Sequence, residues 1–265
     1  MPRQPPPTHN WLAIETSTDS LSLALACGAP LWSHTSAGGA QASVQALPQI
    51  QALMAQAGLH YADLDAVVFG RGPGAFTGLR TACSVAQGLA FGADVPVLPI
   101  DTLLALAEEA RHTVSLADTS DVPTTHEGVR VLSVLDARMD QVYVAAYEHA
   151  QGAWRCVQEA ALQSPEGLAW PSHWCEGVPF IAAGNAWATY AGRWPTALRA
   201  LQVQAVPTAL ALLRLAPLAW AAGLAVPAEQ ALPLYIRDKV AQTTQEREQA
   251  KQLALATDVP LARAP

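Results

Sequence analysis

The sequence predicts an α/β protein of two lobes, each built around a β-hairpin, with a cleft between them. Three observations lead to this prediction. A strand–acid–turn–strand pattern occurs twice, a glycine-rich turn joins an apolar run to a helix, and 51% of the 265 residues are apolar while 14% are charged. This length and composition are typical of a globular chain with a substantial core.

The repeated pattern defines the architecture. Residues 14–23 (IETSTDSLSL) align without a gap with residues 135–144 (LDARMDQVYV), matching in apolar and acidic positions. Such a duplication indicates the two-lobed actin/hexokinase/Hsp70-like (ASKHA) fold. We therefore expect four regions, namely a disordered leader at 1–10, an N-terminal lobe at 11–112, a C-terminal lobe at 128–240 and a polar tail at 241–265.

Hydrophobic periodicity and turn residues predict the individual elements. Strands are expected at 11–14, 20–26, 66–69, 95–100, 153–162 and 180–183, with a second hairpin over 131–147. Helices are expected over 43–57, 78–91, 102–111 and 207–223, and from Ser164 onward; Thr77 is predicted to cap the helix that follows it. The apolar run 206–226 is interpreted as a packed helix and not a membrane span, because it contains Arg214 and Pro217.

The first hairpin tip carries Glu15, Thr16 and Ser17, and the equivalent acid of the second is Asp136. Hydroxyls and amides can bind a phosphate while a carboxylate orients the waters of its magnesium, so these residues are candidates for binding Mg-ATP. The same residue types are also ordinary turn formers. The second tip, residues 137–139, has neither hydroxyl nor glycine, which weakens the interpretation as a working ATPase.

The glycine-rich turn GRGPGAFTGLR spans residues 70–80. It is either a tight strand-to-helix connection or a phosphate cradle. It matches neither GxxxxGK[ST] nor GxGxxG followed by an acid about 20 residues later, which are the usual phosphate-binding templates.

Net charge limits the possible partners. At −7, with only two lysines, the chain is poorly suited to hold nucleic acid alone. The four cysteines are far apart and form no zinc motif, so we expect free thiols in a reducing cytoplasm, and no histidines stand four apart to bind a metal. We expect no membrane contact.

Two stretches near the front of the chain have no charged residue, 20–62 and 81–93. An exposed helix normally carries charge on its solvent side, whereas protein–protein interfaces are depleted of Lys, Glu and Asp at their centres. These helices are therefore either internal or contact another protein. The residues predicted to make that contact are Val44, Leu47, Phe76, Leu79, Val85 and Leu89.

The motifs LAIETST, GRGPGAFTGLRTACSVAQGLAFG, LDARMDQVYVAAY and PLYIR, in this order over residues 11–241, resemble those of the TsaB (YeaZ) family. The resemblance implies the two-lobed fold and a role in forming threonylcarbamoyladenosine next to the anticodon of tRNAs that read ANN codons. It implies a non-catalytic partner of the transferase TsaD, joined by the ATPase TsaE, with N-lobe helices making the heterodimer contact.

We therefore expect no catalytic residue, no metal site and no tightly bound cofactor in this chain, with ATP and magnesium possible at the level of the complex. We also expect tRNA to be bound only through the complex, and the apolar face to pair in a symmetric homodimer when the chain is alone. Two alternatives remain open at this stage. One is an independent ATP-dependent kinase or carbamoyltransferase of the same fold, and the other is an RNA-binding module.

Overall fold

The computed structural model of the protein describes residues 9–116, 128–174, 180–199 and 202–237. The predicted tail at 241–265 lies outside these ranges, as does the predicted leader at 1–10 except for its last two residues. The chain divides into two compact units, residues 1–234 and 235–265, and both sheets belong to the first.

In the part of the chain that the structure describes, each lobe contains one five-stranded sheet. The first sheet consists of β1 (Asn10–Glu15), β2 (Ser20–Cys27), β3 (Leu31–Ala37), β4 (Ala66–Gly72) and β5 (Val97–Asp101). The second consists of β6 (Val129–Arg138), β7 (Gln141–Ala150), β8 (Ala153–Gln163), β9 (Ile181–Gly184) and β10 (Gln202–Gln204).

Within the described ranges, five α-helices accompany the sheets: α1 (Ala42–Ala57), α2 (Phe76–Ala93), α3 (Thr102–Leu116), α4 (Thr196–Arg199) and α5 (Ala209–Ala221). Short 3₁₀ helices occur at Gly39–Gln41, Tyr61–Asp63 and Ala228–Gln230.

The two sheets have the same topology. The strand order is β3-β2-β1-β4-β5 in the first sheet and, from the other edge, β8-β7-β6-β9-β10 in the second. In each, an antiparallel three-stranded meander is followed by two strands parallel to its first strand. The predicted duplicated, two-lobed ASKHA-type α/β fold is therefore confirmed, and Glu15 and Asp136 lie near the ends of the equivalent strands β1 and β6.

The first sheet is covered on both faces. Leu12, Ile14 and Phe69 pack beneath α1 and α2 on one face, whereas Trp11 and Val68 pack beneath α5 on the other. Because both faces of the sheet are covered, β1 is apolar without interruption over 11–14 and β4 over 66–69. Helix α1 exposes one side and buries the other, as its period of apolar residues predicts.

Helix α3 lies between the lobes, where it contacts α5 and the second sheet. The other face of the second sheet is covered by residues 164–174 and 180–199, and within these described ranges aromatic side chains form the core in place of a long helix. These core residues include Trp174, Phe180, Trp187, Tyr190 and Trp194.

The ranges of the two lobes remain predictions, but the structure adds a finding about the 128–240 range. Helix α5 falls in that range and packs on the first sheet, so the chain returns to the N-terminal lobe after completing the second sheet. Long-range packing of this kind leaves no local signal in the sequence. No helix among the described residues is long and apolar enough to cross a membrane.

Two local predictions were wrong. Residues 164–168 form a turn and not a helix, and the Ser164 hydroxyl accepts a hydrogen bond from Gly167 N (3.1 Å). The N-cap of α2 is Ala75 and not Thr77, and no side chain caps that helix end. Both errors arose because residue preferences for a cap were read without the tertiary contacts that override them.

A buried carboxylate joins α3, α5 and β8. Glu108 is almost fully buried and accepts hydrogen bonds from Arg111 of its own helix, from Arg214 Nε of α5 (3.0 Å) and from Trp154 Nε1 of β8 (3.0 Å). Burial alone would raise the pKa of Glu108, but hydrogen bonds from Arg111 and Trp154 and the charges of Arg111 and Arg214 outweigh it, so the pKa is lowered. This ion network fixes the interface between the lobes.

We predict that Glu108→Gln lowers the free energy of unfolding by about 2 to 3 kcal/mol at pH 7, because an amide group would oppose two donors and would remove the counter-charge of Arg111 and one of the two carboxylates paired with Arg214. A group with a lowered folded-state pKa contributes stability above its unfolded-state pKa and loses it as pH falls through the folded-state pKa. The deficit in urea denaturation should therefore shrink at acidic pH. The exposed Glu229→Gln is the matched control, with an expected effect within about 0.5 kcal/mol.

Candidate functional site

The first hairpin tip is buried. Glu15, Thr16 and Ser17 each expose 3% or less of their surface. Glu15 Oε1 accepts a hydrogen bond from Ser17 N (2.6 Å), and Thr16 Oγ1 donates one to the carbonyl oxygen of Gly78 (2.7 Å). The Glu15 carboxylate and the Thr16 hydroxyl, both predicted to contact a phosphate, are thus directed toward the protein interior.

The glycine-rich turn covers this tip directly. A Cβ at Gly78 would lie 1.8 Å from Thr16 O, and one at Gly74 would lie 2.6 Å from Ser17 O. Ala75 N donates a hydrogen bond to Ser17 O (2.7 Å). Both glycines are needed because two backbones meet at this point. This geometry favours the structural connection over the phosphate cradle, since the tip itself occupies the inner side of the turn.

Burial also changes the chemistry of Glu15. Desolvation raises the pKa of the carboxyl, and hydrogen bonds from Ser17 and Thr102 oppose this effect without cancelling it. Among the described residues, Glu15 Oε2 has no hydrogen-bond partner, and a Cβ at Gly70 would lie 1.8 Å from it. A carboxyl group whose charged form is disfavoured by burial in a closed site is less suited than an exposed one to orient the waters of a magnesium ion.

The second tip is held by charged side chains. Asp136 Oδ1 accepts hydrogen bonds from Tyr190 OH (2.8 Å) and Arg138 N (2.8 Å). Burial, followed by this bond to Asp136, raises the pKa of Tyr190 to about 12. Arg138 Nη2 also donates to Asp19 Oδ2 (2.8 Å), so an ion pair joins the second tip to the first.

The cleft between the tips is small. Its volume is about 140 Å³, below the roughly 300–1,000 Å³ of typical small-molecule sites. Of the four residues predicted to bind nucleotide, Ser17 and Asp136 line this cleft, whereas Glu15 and Thr16 do not. No cluster of three or more His, Cys, Asp or Glu side chains suited to a metal ion occurs within the ranges that the structure describes.

The outer surfaces of α1 and α2 offer a different kind of site. Val44 is 69% exposed, and Leu47 and Phe76 are also exposed. Val85 and Leu89 are half-buried and pack partly into the core beneath the helices. Three of the six predicted contact residues are thus exposed and two are partly accessible.

Leu79 requires a correction. Its side chain is only 1% exposed, so it faces the interior and does not present a surface to a partner. The prediction placed Leu79 on the contact face from its spacing along the sequence. The direction of its side chain is set instead by how the glycine-rich turn, which leads into the first turn of α2, packs on the hairpin tip. That packing is a tertiary feature that spacing along the sequence does not reveal.

Sequence reasoning missed four residues of this surface. Ser84, Gly88 and Gly92 lie exposed at intervals of four along α2, and Phe91 beside them is 81% exposed. No described atom lies within 4 Å of a Cβ added at Gly88 or Gly92. The signal was the four-residue spacing of small residues, which allows another backbone to approach closely. We call the exposed set the helical face; it comprises Val44, Leu47, Phe76, Ser84, Gly88, Phe91 and Gly92.

Comparison with known proteins identifies relatives. The family model described as TsaD, tRNA N6-adenosine threonylcarbamoyltransferase, matches residues 34–260. The tRNA threonylcarbamoyladenosine biosynthesis protein TsaB of Escherichia coli K12 is 31% identical over 238 residues, covering 87% of this chain and 95% of that protein. A threonylcarbamoyltransferase of Chromobacterium violaceum is 41% identical over 59 residues, which is 17% of its length. The similarity to TsaB therefore covers most of this chain, whereas the similarity to the transferase covers 22% of it.

A solved structure agrees. The structure described as YeaZ from Pseudomonas aeruginosa is 37% identical, superposes with a TM-score of 0.72, and is covered over 99% of its chain by 86% of this one. The chain belongs to the TsaB (YeaZ) family. The resemblance inferred from the sequence motifs is confirmed.

Within this TsaB-family chain, the motif GRGPGAFTG has a structural explanation that the family resemblance alone did not provide. Its glycines allow the turn to pack directly on the first hairpin tip. Helix α2, which begins within the motif, carries the members of the helical face from Phe76 to Gly92. One motif therefore packs on the first hairpin tip and sets the start of the helix that carries this surface.

We predict opposite effects for two alanine substitutions in α2. Gly78→Ala should lower the free energy of unfolding by about 3 kcal/mol, because the new methyl group would overlap Thr16 O. Gly88→Ala, in the same helix, should raise it by about 0.5 to 1 kcal/mol because alanine favours helix and no described atom lies in the way. Urea denaturation measures both. Equal effects at the two positions would contradict the close approach of the turn to the tip.

Proposed function

We propose that this chain is a non-catalytic subunit of the complex that forms threonylcarbamoyladenosine in tRNA, and that its helical face binds and activates the transferase TsaD. Its TsaB relatives are named as biosynthesis proteins of this modified nucleoside, and family membership assigns the chain to that process. The observation that supports the finer proposal is an apolar, almost uncharged helical surface beside a closed cleft.

The composition of the helical face supports protein binding. Val44, Leu47 and Phe91 are large apolar side chains in contact with water, and covering them would gain about 25 cal/mol for each Å² buried. Arg80 is the charged residue of α2, and its guanidinium lies 3.8 Å from the centre of the Phe76 ring. Arginine next to an aromatic ring is a frequent combination at the energetic centre of interfaces.

The dimensions of the helical face are also suitable. Helix α2 has 18 residues and α1 has 16, which correspond to lengths of about 27 and 24 Å. Two such helices side by side offer roughly 500 Å² to a partner, near the lower limit for a specific interface. The exposed glycines of α2 would let a partner helix approach its backbone, which increases the contact made per residue.

The cleft supports the non-catalytic part of the proposal. Mg-ATP needs an open site with ionised carboxylates, whereas Glu15 and Thr16 are buried and the cleft between the tips holds about 140 Å³. We propose that any Mg-ATP used during modification is bound by other subunits, including TsaE, and that tRNA reading ANN codons is recognised by the assembled complex in the cytoplasm.

Activation then acts through the conformation of TsaD. A partner that binds the active conformation of the transferase more tightly than the inactive one stabilises the active conformation. The free energy of this stabilisation equals the difference between the two binding free energies. Without TsaD, the helical face of one molecule should pair with that of a second in a symmetric dimer, since the same apolar residues need to be covered.

We predict that Gly88→Arg weakens binding to TsaD by at least about 30-fold, the effect expected of a residue at the centre of an interface. The arginine would project from an open position of α2 and block a close-packed partner, while helix propensity improves. Isothermal titration of purified TsaD with each variant measures the dissociation constant. Val85→Arg is a weaker test, because half-buried Val85 also packs into the core.

Thr113→Arg, at an exposed position of α3, is the matched control and should bind TsaD as the unmodified chain does. Sedimentation velocity of the chain alone should show that Gly88→Arg is a monomer. An unchanged dissociation constant for a folded Gly88→Arg protein would refute the assignment of the helical face to TsaD.

A further inference from the structure

The face of the first sheet opposite the helical face carries a cavity. It has a volume of about 570 Å³ and lies between the ends of β4 and β5, the start of β8 and the C-terminal half of α5. This volume is within the range of small-molecule sites in proteins. The cavity is separate from the cleft between the hairpin tips and shares no lining residue with it.

The walls of the cavity are apolar. Ile100, Leu104 and Leu215 line its interior, while Leu218 and Leu224 stand exposed at its rim. An exposed pair of leucines beside an open apolar cavity is unfavourable in water, and a bound apolar group would remove that surface from solvent. The site therefore favours an occupant with an apolar body.

One end of the cavity is polar. Arg71 Nε donates to Asp101 Oδ1 (2.5 Å), and both side chains are partly exposed. Over the described part of the chain, this pair uses one nitrogen of the guanidinium and one oxygen of the carboxylate. The remaining guanidinium N–H groups are donors and the second carboxylate oxygen is an acceptor, so the pair can bind a group that both donates and accepts.

The cavity is preformed. Trp154 on one wall is fixed by the bond from its Nε1 to Glu108 Oε2 (3.0 Å). The segment after α5 is fixed by paired bonds between Val97 and Val226, from Val97 N to Val226 O (2.9 Å) and from Val226 N to Val97 O (2.8 Å). Fixed walls reduce the entropy that is lost when a ligand binds.

We propose that this cavity binds a small molecule with a flat apolar body and an adjacent donor–acceptor edge, of the carboxamide or nucleobase type. The body lies against Leu215, Leu218 and Trp154, and the edge bonds to Arg71 and Asp101. Because the first sheet separates this cavity from α1 and α2, the ligand and a protein on the helical face can bind together. The inference does not depend on the identity of the protein partner.

Two probes test the proposal on the full chain. Indole-3-acetamide has a flat body and a carboxamide, whereas 3-methylindole has the same body without the amide. Ligand-observed saturation-transfer NMR titrations give the affinity of each probe. We expect indole-3-acetamide to bind about tenfold more tightly, the effect of the added hydrogen bonds to a charged pair.

Variants identify the site. Ala222→Trp should abolish binding of both probes by filling the cavity, while Ala221→Trp, on the same turn of α5 but outside the lining, should retain it. Asp101→Leu should weaken indole-3-acetamide about tenfold and leave 3-methylindole unchanged. Circular dichroism confirms that each variant is folded.

Three results would overturn the proposal. They are the absence of saturation transfer to either probe at millimolar concentration, equal binding by Ala222→Trp and the unmodified chain, and an unchanged affinity of Asp101→Leu for indole-3-acetamide.

Discussion

The close approach of two backbones, that of the glycine-rich turn and that of the first hairpin tip, is the constraint on which the rest of the structure depends. Ala75 N bonds to Ser17 O, Thr16 Oγ1 bonds to Gly78 O, and a side chain at Gly74 or Gly78 would not fit. This contact buries Glu15 and Thr16, two of the residues predicted to bind a nucleotide. It also fixes the start of α2, and therefore determines which side of that helix faces the solvent.

Duplication made the fold predictable. The alignment of residues 14–23 with 135–144 works because both hairpins have buried, apolar strands, and both copies keep an acid at or near the end of the first strand. Long periodic elements such as α1, α2 and β8 were predicted near their observed positions. The helix predicted to begin at Ser164 was wrong. The residues there resemble a helix cap, but they form a turn, and this side of the second sheet is covered by aromatic side chains from largely irregular segments.

The candidate site was predictable only in part. The absence of charge in 20–62 and 81–93 singled out α1 and α2, whose outer sides are exposed and apolar, and their contact with a partner stays a prediction. It did not indicate the direction of each side chain, so Leu79 was placed outward and Phe91 was left out. The cavity beside α5 was not predictable, since its walls come from residues between 71 and 226 that meet only in the folded chain.

We propose that this chain acts through the helical face and not through its hairpin tips. Hydroxyl-radical footprinting with and without TsaD tests this most directly, because Phe91 on the helical face and Met139 at the second tip are both exposed and readily oxidised. The account predicts that TsaD protects Phe91 and Phe76 and leaves the oxidation of Met139 unchanged. Protection of Met139 with unchanged oxidation of both phenylalanines would contradict it.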